Sequence, residues 1–122
     1  MPVFDTRAVQ QRLSALSGRG NEPLGHFDAT TLGVGRYVAG SSPWERHGNG
    51  DELLLVLDGE VAIEVLDGPG SETIALKEGA LFVVPRDRWH QLTARDPVLI
   101  LYASPSEDGV ERTRERPGGA RA

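Results

Sequence analysis

The chain has no cysteine. That excludes disulfides and thiolate metal sites together, and leaves imidazole nitrogen and carboxylate oxygen as the ligands for any bound metal. Long apolar runs are also missing, so no segment is expected to cross a membrane. The opening MPVFDTRAVQ lacks the apolar core of a signal peptide, and a soluble, cytoplasmic protein is expected. A basic excess is missing too: 18 acidic side chains face 13 Lys and Arg, a net charge of −5. From Ser104 onward four acidic residues balance four basic ones, so the surplus lies in the body of the chain. Nucleic-acid binding requires a net basic face, and no such partner is expected; the acidic balance reads as solubility. At 122 residues the chain has the length of one domain that can bury a core without staples.

Residues 5 to 16, DTRAVQQRLSAL, place Val9, Leu13 and Leu16 at spacings of four and three, with Asp5 or Thr6 available as a cap. This predicts one short amphipathic helix. SGRGNEPLG then reads as turn chemistry, so residues 1–25 form a helix and linker. From residue 26 short β-compatible runs alternate with Gly, Pro, Asp and Asn. The predicted strands are 26–32, 34–39, 43–47, 52–57, 60–66, 72–76, 80–84, 89–94 and 98–103. Asp58-Gly59 in VLDGEV predicts a type I′ hairpin turn. In EVAIEV, Val61, Ile63 and Val65 alternate with acids, giving one wet face; LLLVL and LFVV are apolar on both faces, as internal strands are. Many short strands with one helix predict an all-β protein, a small barrel or jelly roll over residues 26–103. Residues 104–122 carry almost no apolar content, and a mobile polar tail is expected.

Within WERHGNGDELLLVLDG, Glu45 and His47 share a strand face because side chains alternate. The HGNG turn then returns the chain so that Glu52 can face them from a neighbouring strand. In GALFVVPRDRWHQLTA, the Pro85-Arg86-Asp87 turn precedes His90. If both turns sit at one end of the barrel, His90 joins the other three. Buried carboxylates need a cation, a proton or an arginine, so a metal site competes with a metal-free pocket in which Glu52 and His90 bond to each other. Asp51, on the face opposite Glu52, reads as a solvated loop residue. Trp44 and Trp89 precede ligand positions and are expected to point away from them, as packing residues. Arg36 and Tyr37 are candidates to anchor a substrate carboxylate or hydroxyl, with surface or packing roles as the plainer alternative. His26 has no assignment, and on the last strand Val98, Ile100 and Tyr102 share one face and Leu99 and Leu101 the other, with the side that meets the cavity left open.

The spacing Glu45-x-His47-x4-Glu52-x6-Gly59 resembles the first motif of the cupins, with Glu in place of the first His. Gly79-x5-Pro85-x-Asp87-x2-His90 resembles the second, with Asp for its middle Gly and Ala94 for its final Asn. Two motifs in order, over roughly residues 30 to 103, are more specific than either alone. The resemblance implies a single-domain jelly-roll β-barrel, a homodimer, and one divalent metal inside. His47, Glu52 and His90 match ligand positions directly, and Glu45 matches one with altered chemistry. Such an oxygen-rich set suits Fe, Mn, Ni or Zn.

A metal-dependent enzyme acting on a small polar metabolite follows as the leading expectation. Dioxygenase, isomerase and lyase chemistry stay open, with Glu45 or Glu52 as candidate base. A non-catalytic binding or sensing barrel is the alternative, and a dimerising or storage scaffold a third.

Overall fold

The amphipathic spacing near the N-terminus forms α1 (Thr6–Ser14), which Asp5 caps by accepting from the backbone N–H groups of Arg7 and Ala8 at 3.1 Å. The computed structural model describes residues 2–118. Val9 and Leu13 are buried while Leu16 is 43% exposed, because the helix ends one turn before the periodicity does.

The strands are β1 (Gly20–Phe27), β2 (Thr30–Tyr37), β3 (Gly40–Ser41), β4 (Trp44–His47), β5 (Glu52–Asp58), β6 (Glu60–Asp67), β7 (Gly70–Lys77), β8 (Leu81–Val84), β9 (His90–Ala94), β10 (Val98–Ser104) and β11 (Val110–Thr113). They make two antiparallel sheets, ordered β1-β2-β10-β5-β8 and β11-β4-β9-β6-β7, with β3 on β9. The all-β reading with one short helix holds. Between the sheets lies a core of Leu54, Val56, Val61, Ile63, Val65, Leu76, Val84, Ala94, Val98 and Ile100. A second cluster, Val9, Leu13, Val34 and Leu99, fastens α1 to the outside of the first sheet. The last strand is thereby oriented: Val98, Ile100 and Tyr102 face inward, Leu99 and Leu101 toward the helix.

Five expectations change. The SGRGNEPLG stretch is not a linker, because Gly20–Phe27 pairs with β2 through a register shift at Pro23/Gly25. Pro23 is accommodated there since β1 is a sheet edge, where a missing N–H costs no ladder bond. The predicted strand at 26–32 is broken at Asp28, whose φ is +55°. Asp58-Gly59 does not close a hairpin. Strands β5 and β6 belong to different sheets, and only Gly59 has a positive φ, +92°, with Pro97 O 2.9 Å from where a Cβ would lie. The turn is a corner between layers.

LFVV is not internal either: β8 is an edge strand with Leu81 57% and Val83 46% exposed. After Ser104 the chain forms a 3-10 turn (Glu107–Gly109) and then β11 on β4, so composition misjudged residues 107–113. Strand β4 offers an open edge, and its ladder hydrogen bonds offset the ordering entropy that the tail's own side chains cannot. The rest of that expectation, at 119–122, lies outside the described residues. No helix among the described residues is long and apolar enough to cross a membrane.

Candidate metal centre

Strand β4 places Glu45 and His47 on its inward face, while Arg46 turns outward and stacks on Trp89, 4.8 Å from the ring centroid. Strand β9 enters beside it with His90 directly opposite Glu45 in register. Glu52 opens β5, so it arrives from the facing sheet, across the interior rather than from an adjacent strand. The two turns that deliver these residues are stitched together: the Asp87 N–H donates to His47 O at 2.9 Å, and the Arg86 N–H to Asp51 Oδ1 at 2.8 Å. Asp51, expected to be solvated, is exposed yet fixes this junction. Asp87 sits at φ +65°, a left-handed conformation that Asp tolerates better than most residues. That explains how it stands where the motif has Gly.

One ligand atom from each of Glu45, His47, Glu52 and His90 lies within 4.8 Å of the other three. The His47 and His90 rings are 5.6 Å apart at 26°. His47 Nε2 is 3.7 Å from Glu45 Oε1 and 3.5 Å from Glu52 Oε1, and His90 Nε2 is 3.3 Å from the same Glu52 oxygen. Those separations are long for hydrogen bonds. The two contacts to Glu52 fall within the spacing of about 3.0–3.5 Å between neighbouring atoms that share one ion at bond lengths near 2.1 Å, and Glu45 stands slightly farther off. His47 is 6% exposed and neither of its ring nitrogens has a hydrogen-bond partner, a costly state for a buried imidazole. A divalent cation fits this donor set and would relieve that cost at Nε2, the nitrogen that faces the two carboxylates.

The other atoms of three of these groups are held from behind. His90 Nδ1 lies 3.1 Å from Arg88 O, which fixes the tautomer with an N–H at Nδ1 and a lone pair at Nε2. Ser104 donates to Glu52 Oε2 at 2.5 Å. Arg112, from β11, donates through Nε to Glu45 Oε2 at 2.5 Å, and its Nη2 is shared with Glu107 at 2.9 Å. Each of these groups is left with one atom facing the centre. Burial pushes Glu52 up, but His47, His90 and Ser104 outweigh it and carry its carboxyl down to about 2. For Glu45 burial is again opposed, by His47 and Arg112, and the net direction is down. The facing carboxylates of Glu45 and then Glu52 lift His47 to about 9.

The cluster opens into a cavity of about 640 Å³, whose lining includes Tyr37, Tyr102, Asn21 and Arg19. Tyr37 faces inward with the core, and burial, then Glu52 and Glu45, pushes its phenol up. Gly33 leaves the space occupied by the Tyr102 phenol, since a Cβ there would collide with it. The Tyr102 hydroxyl donates to Asn21 Oδ1 at 2.6 Å.

Arg36 borders the cavity as well, but its guanidinium is engaged elsewhere. It shares a face with Val34, and its guanidinium donates to Gly18 O near the end of α1. His26 is exposed on β1. Trp44 is buried, with Arg116 over its ring at 5.2 Å, and both tryptophans are packing residues as expected. The four predicted ligand positions therefore converge, while Arg112, Ser104 and Arg19 escaped the reading and Tyr102 was placed on a strand face without a role. No local spacing marks them, since each acts through the partner that the fold brings to it.

The family model for the Cupin domain matches residues 37–103. Among solved structures the chain is similar to a cupin-2 domain containing protein from Shewanella frigidimarina NCIMB 400, with a TM-score of 0.69 and 19% identity over 85% of this chain and 95% of that one. It is similar also to hydroquinone 1,2-dioxygenase from Sphingomonas sp. TTNP3 with 4-hydroxybenzoate bound (TM-score 0.65, 18% identity, 87% and 80% covered). A hydroquinone 1,2-dioxygenase in complex with Cd2+ and 4-hydroxybenzonitrile gives a TM-score of 0.64 at 20% identity, with 89% and 80% covered. At these identities the likeness establishes the fold. No curated protein matches the chain in sequence.

Proposed function

The chain belongs to the Cupin domain family, and from that premise we propose that Glu45, His47, Glu52 and His90 hold one divalent cation and serve an enzyme acting on a small, oxygen-bearing metabolite. The observation that carries this reading is the buried His47 ring, unpartnered at both nitrogens, in a group of four ligand atoms that all lie within 4.8 Å of one another. The cation would supply Lewis acidity and a binding point for substrate oxygens.

The chain's own residues do the rest. Glu52, held by Ser104 and 8% exposed, is a fixed ligand. Glu45 has the more open side chain, 25% against 10% exposed, and its Oε1 faces the cavity's interior while Arg112 grips Oε2. It is the better placed of the two candidates to leave the cation when a substrate displaces it, and then to take a proton from the bound hydroxyl. Tyr37 and Tyr102 offer hydroxyls from the opposite sheet, and the buried sheet-to-sheet core excludes water from the far side. Dioxygenase chemistry is the first choice among dioxygenase, isomerase and lyase, supported by the structural similarity to two hydroquinone 1,2-dioxygenases.

A homodimer belongs to the same proposal. Edge strand β8 exposes Leu81 and Val83 beside the half-buried Leu55 and Leu53 of β5, an apolar strip on an unpaired edge that suits a second copy.

Elemental analysis of purified protein tests the centre. About one Fe, Mn, Ni or Zn per chain is expected, lost in His47→Ala and in His90→Ala while both variants retain the wild-type β circular dichroism. Unchanged metal content in both folded variants overturns the assignment. With Fe(II) loaded, oxygen uptake on a panel of hydroxylated aromatic acids supports dioxygenase chemistry, and none across the panel favours isomerase or lyase.

A further inference from the structure

The cavity's charges do not balance without an anion. Resting on the reading of a divalent cation at the four ligands, we propose that Arg19 is a specificity residue that pairs with a substrate carboxylate, so that the protein selects anions over their neutral analogues.

Placement comes from strand alternation. A Cβ on Gly20 would meet Leu13 at 3.1 Å and collide with Leu16, so that face of β1 lies beneath α1. Its neighbours Arg19 and Asn21 therefore take the opposite face. Asn21 shows that this face is the inner one, because Tyr102 from the interior of β10 donates to it. Arg19 lines the main cavity, and with Tyr37 it also borders a smaller one of about 210 Å³ walled by Val61, Leu92 and Ala94. The apolar pocket lies beside the guanidinium, where a substrate's carbon skeleton can be received.

Charge then singles Arg19 out. Glu45, Glu52 and Glu107 are the acids of the main cavity wall. A dication at the centre and Arg112, bound to Glu45 and Glu107, match all three. Arg36 borders the same cavity and among the described residues likewise lacks a carboxylate partner, but its guanidinium is engaged by Gly18 O. Arg19 has neither, since among the described residues no carboxylate lies within 4.0 Å of it, although five other arginines have such a partner. An arginine at a pocket mouth presents a planar fork of donors that a carboxylate accepts in pairs. The ligand class is accordingly a small carboxylate with a second oxygen function, its acid group at Arg19 and its other oxygen toward the ligand cluster.

Calorimetric titration of metal-loaded protein with 4-hydroxybenzoate, succinate and glycolate, each beside its neutral amide, tests this. At least one acid is expected to bind about tenfold or more tightly than its amide, the effect of one charge-assisted pair. Arg19→Gln should bring acid and amide level, and Arg19→Lys should restore part of the gap. Metal content is measured on the same samples and should be equal in all three proteins. No acid preferred in wild type, no acid bound at all, or a preference that survives in Arg19→Gln overturns the proposal. That last result would place the carboxylate elsewhere. Absent metal in wild type marks failure of the centre itself, a separate outcome.

Discussion

His47 is where the residue scale is most exposed to test. Without metal its ring is raised to about 9 by Glu45 and Glu52, from an ordinary 6.5. A folded-state pKa raised in this way contributes stability that is complete below about 6.5 and is lost as pH rises through 9. Glu52 runs the other way: lowered to about 2 from 4.5, its contribution is present above 4.5 and lost as pH falls through 2. Thermal melts of the metal-free protein should therefore hold level between those ranges and fall from pH 6.5 to 9. A cation must displace the His47 proton, so its affinity should climb over the same window, as competition titration would show. An affinity independent of pH there would contradict the role given to this ring. His47 and its motif partners were legible because ligand chemistry needs particular side chains at fixed strand offsets. Arg19 was not, since its meaning depends on what lies across the cavity.

At the scale of elements, β11 changes what the C-terminal segment is for. Its composition predicts no order, yet its ladder on β4 sets Arg112 opposite Glu45 in register. Arg112 thereby acts as a positioning residue for a ligand. Arg112→Gln should weaken metal binding by about 10- to 100-fold, the usual cost of losing the partner behind a ligand. The β11 ladder should survive, since its hydrogen bonds are backbone ones. Metal affinity by chelator competition, read beside the melting temperature of the metal-free variant, separates lost positioning from lost folding. The Asp58-Gly59 corner carries a related lesson. A Gly that allows positive φ signals that the chain reverses, but the dipeptide carries no information on whether the next strand stays in the same sheet.

For the whole molecule, the exposed strip on β8 bears on assembly. Val83→Glu places a charge in the middle of it and is expected to convert a dimer into a monomer of 13.2 kDa, read by light scattering. The proposed metal centre should remain loaded, because Val83 points outward from β8 whereas Glu52 and its register partner Val84 face the interior. A wild-type protein that is monomeric at all concentrations would remove this face from consideration.

The sequence by itself determined the strand-rich class, the helix with its Asp5 cap, and the four side chains that the fold brings together as a candidate metal centre. Alternation of side chains, capping chemistry and motif spacing are local, and local rules can be read along a chain. Only the tertiary structure decided that Glu52 reaches the centre from the facing sheet, that the acidic-basic tail becomes its wall, and that the Arg36 guanidinium is taken by Gly18 O while Arg19 stands unpaired at the cavity's edge among the described residues. Those outcomes depend on which backbone edges were left open and which faces the helix covered, and both are properties of the assembled sandwich.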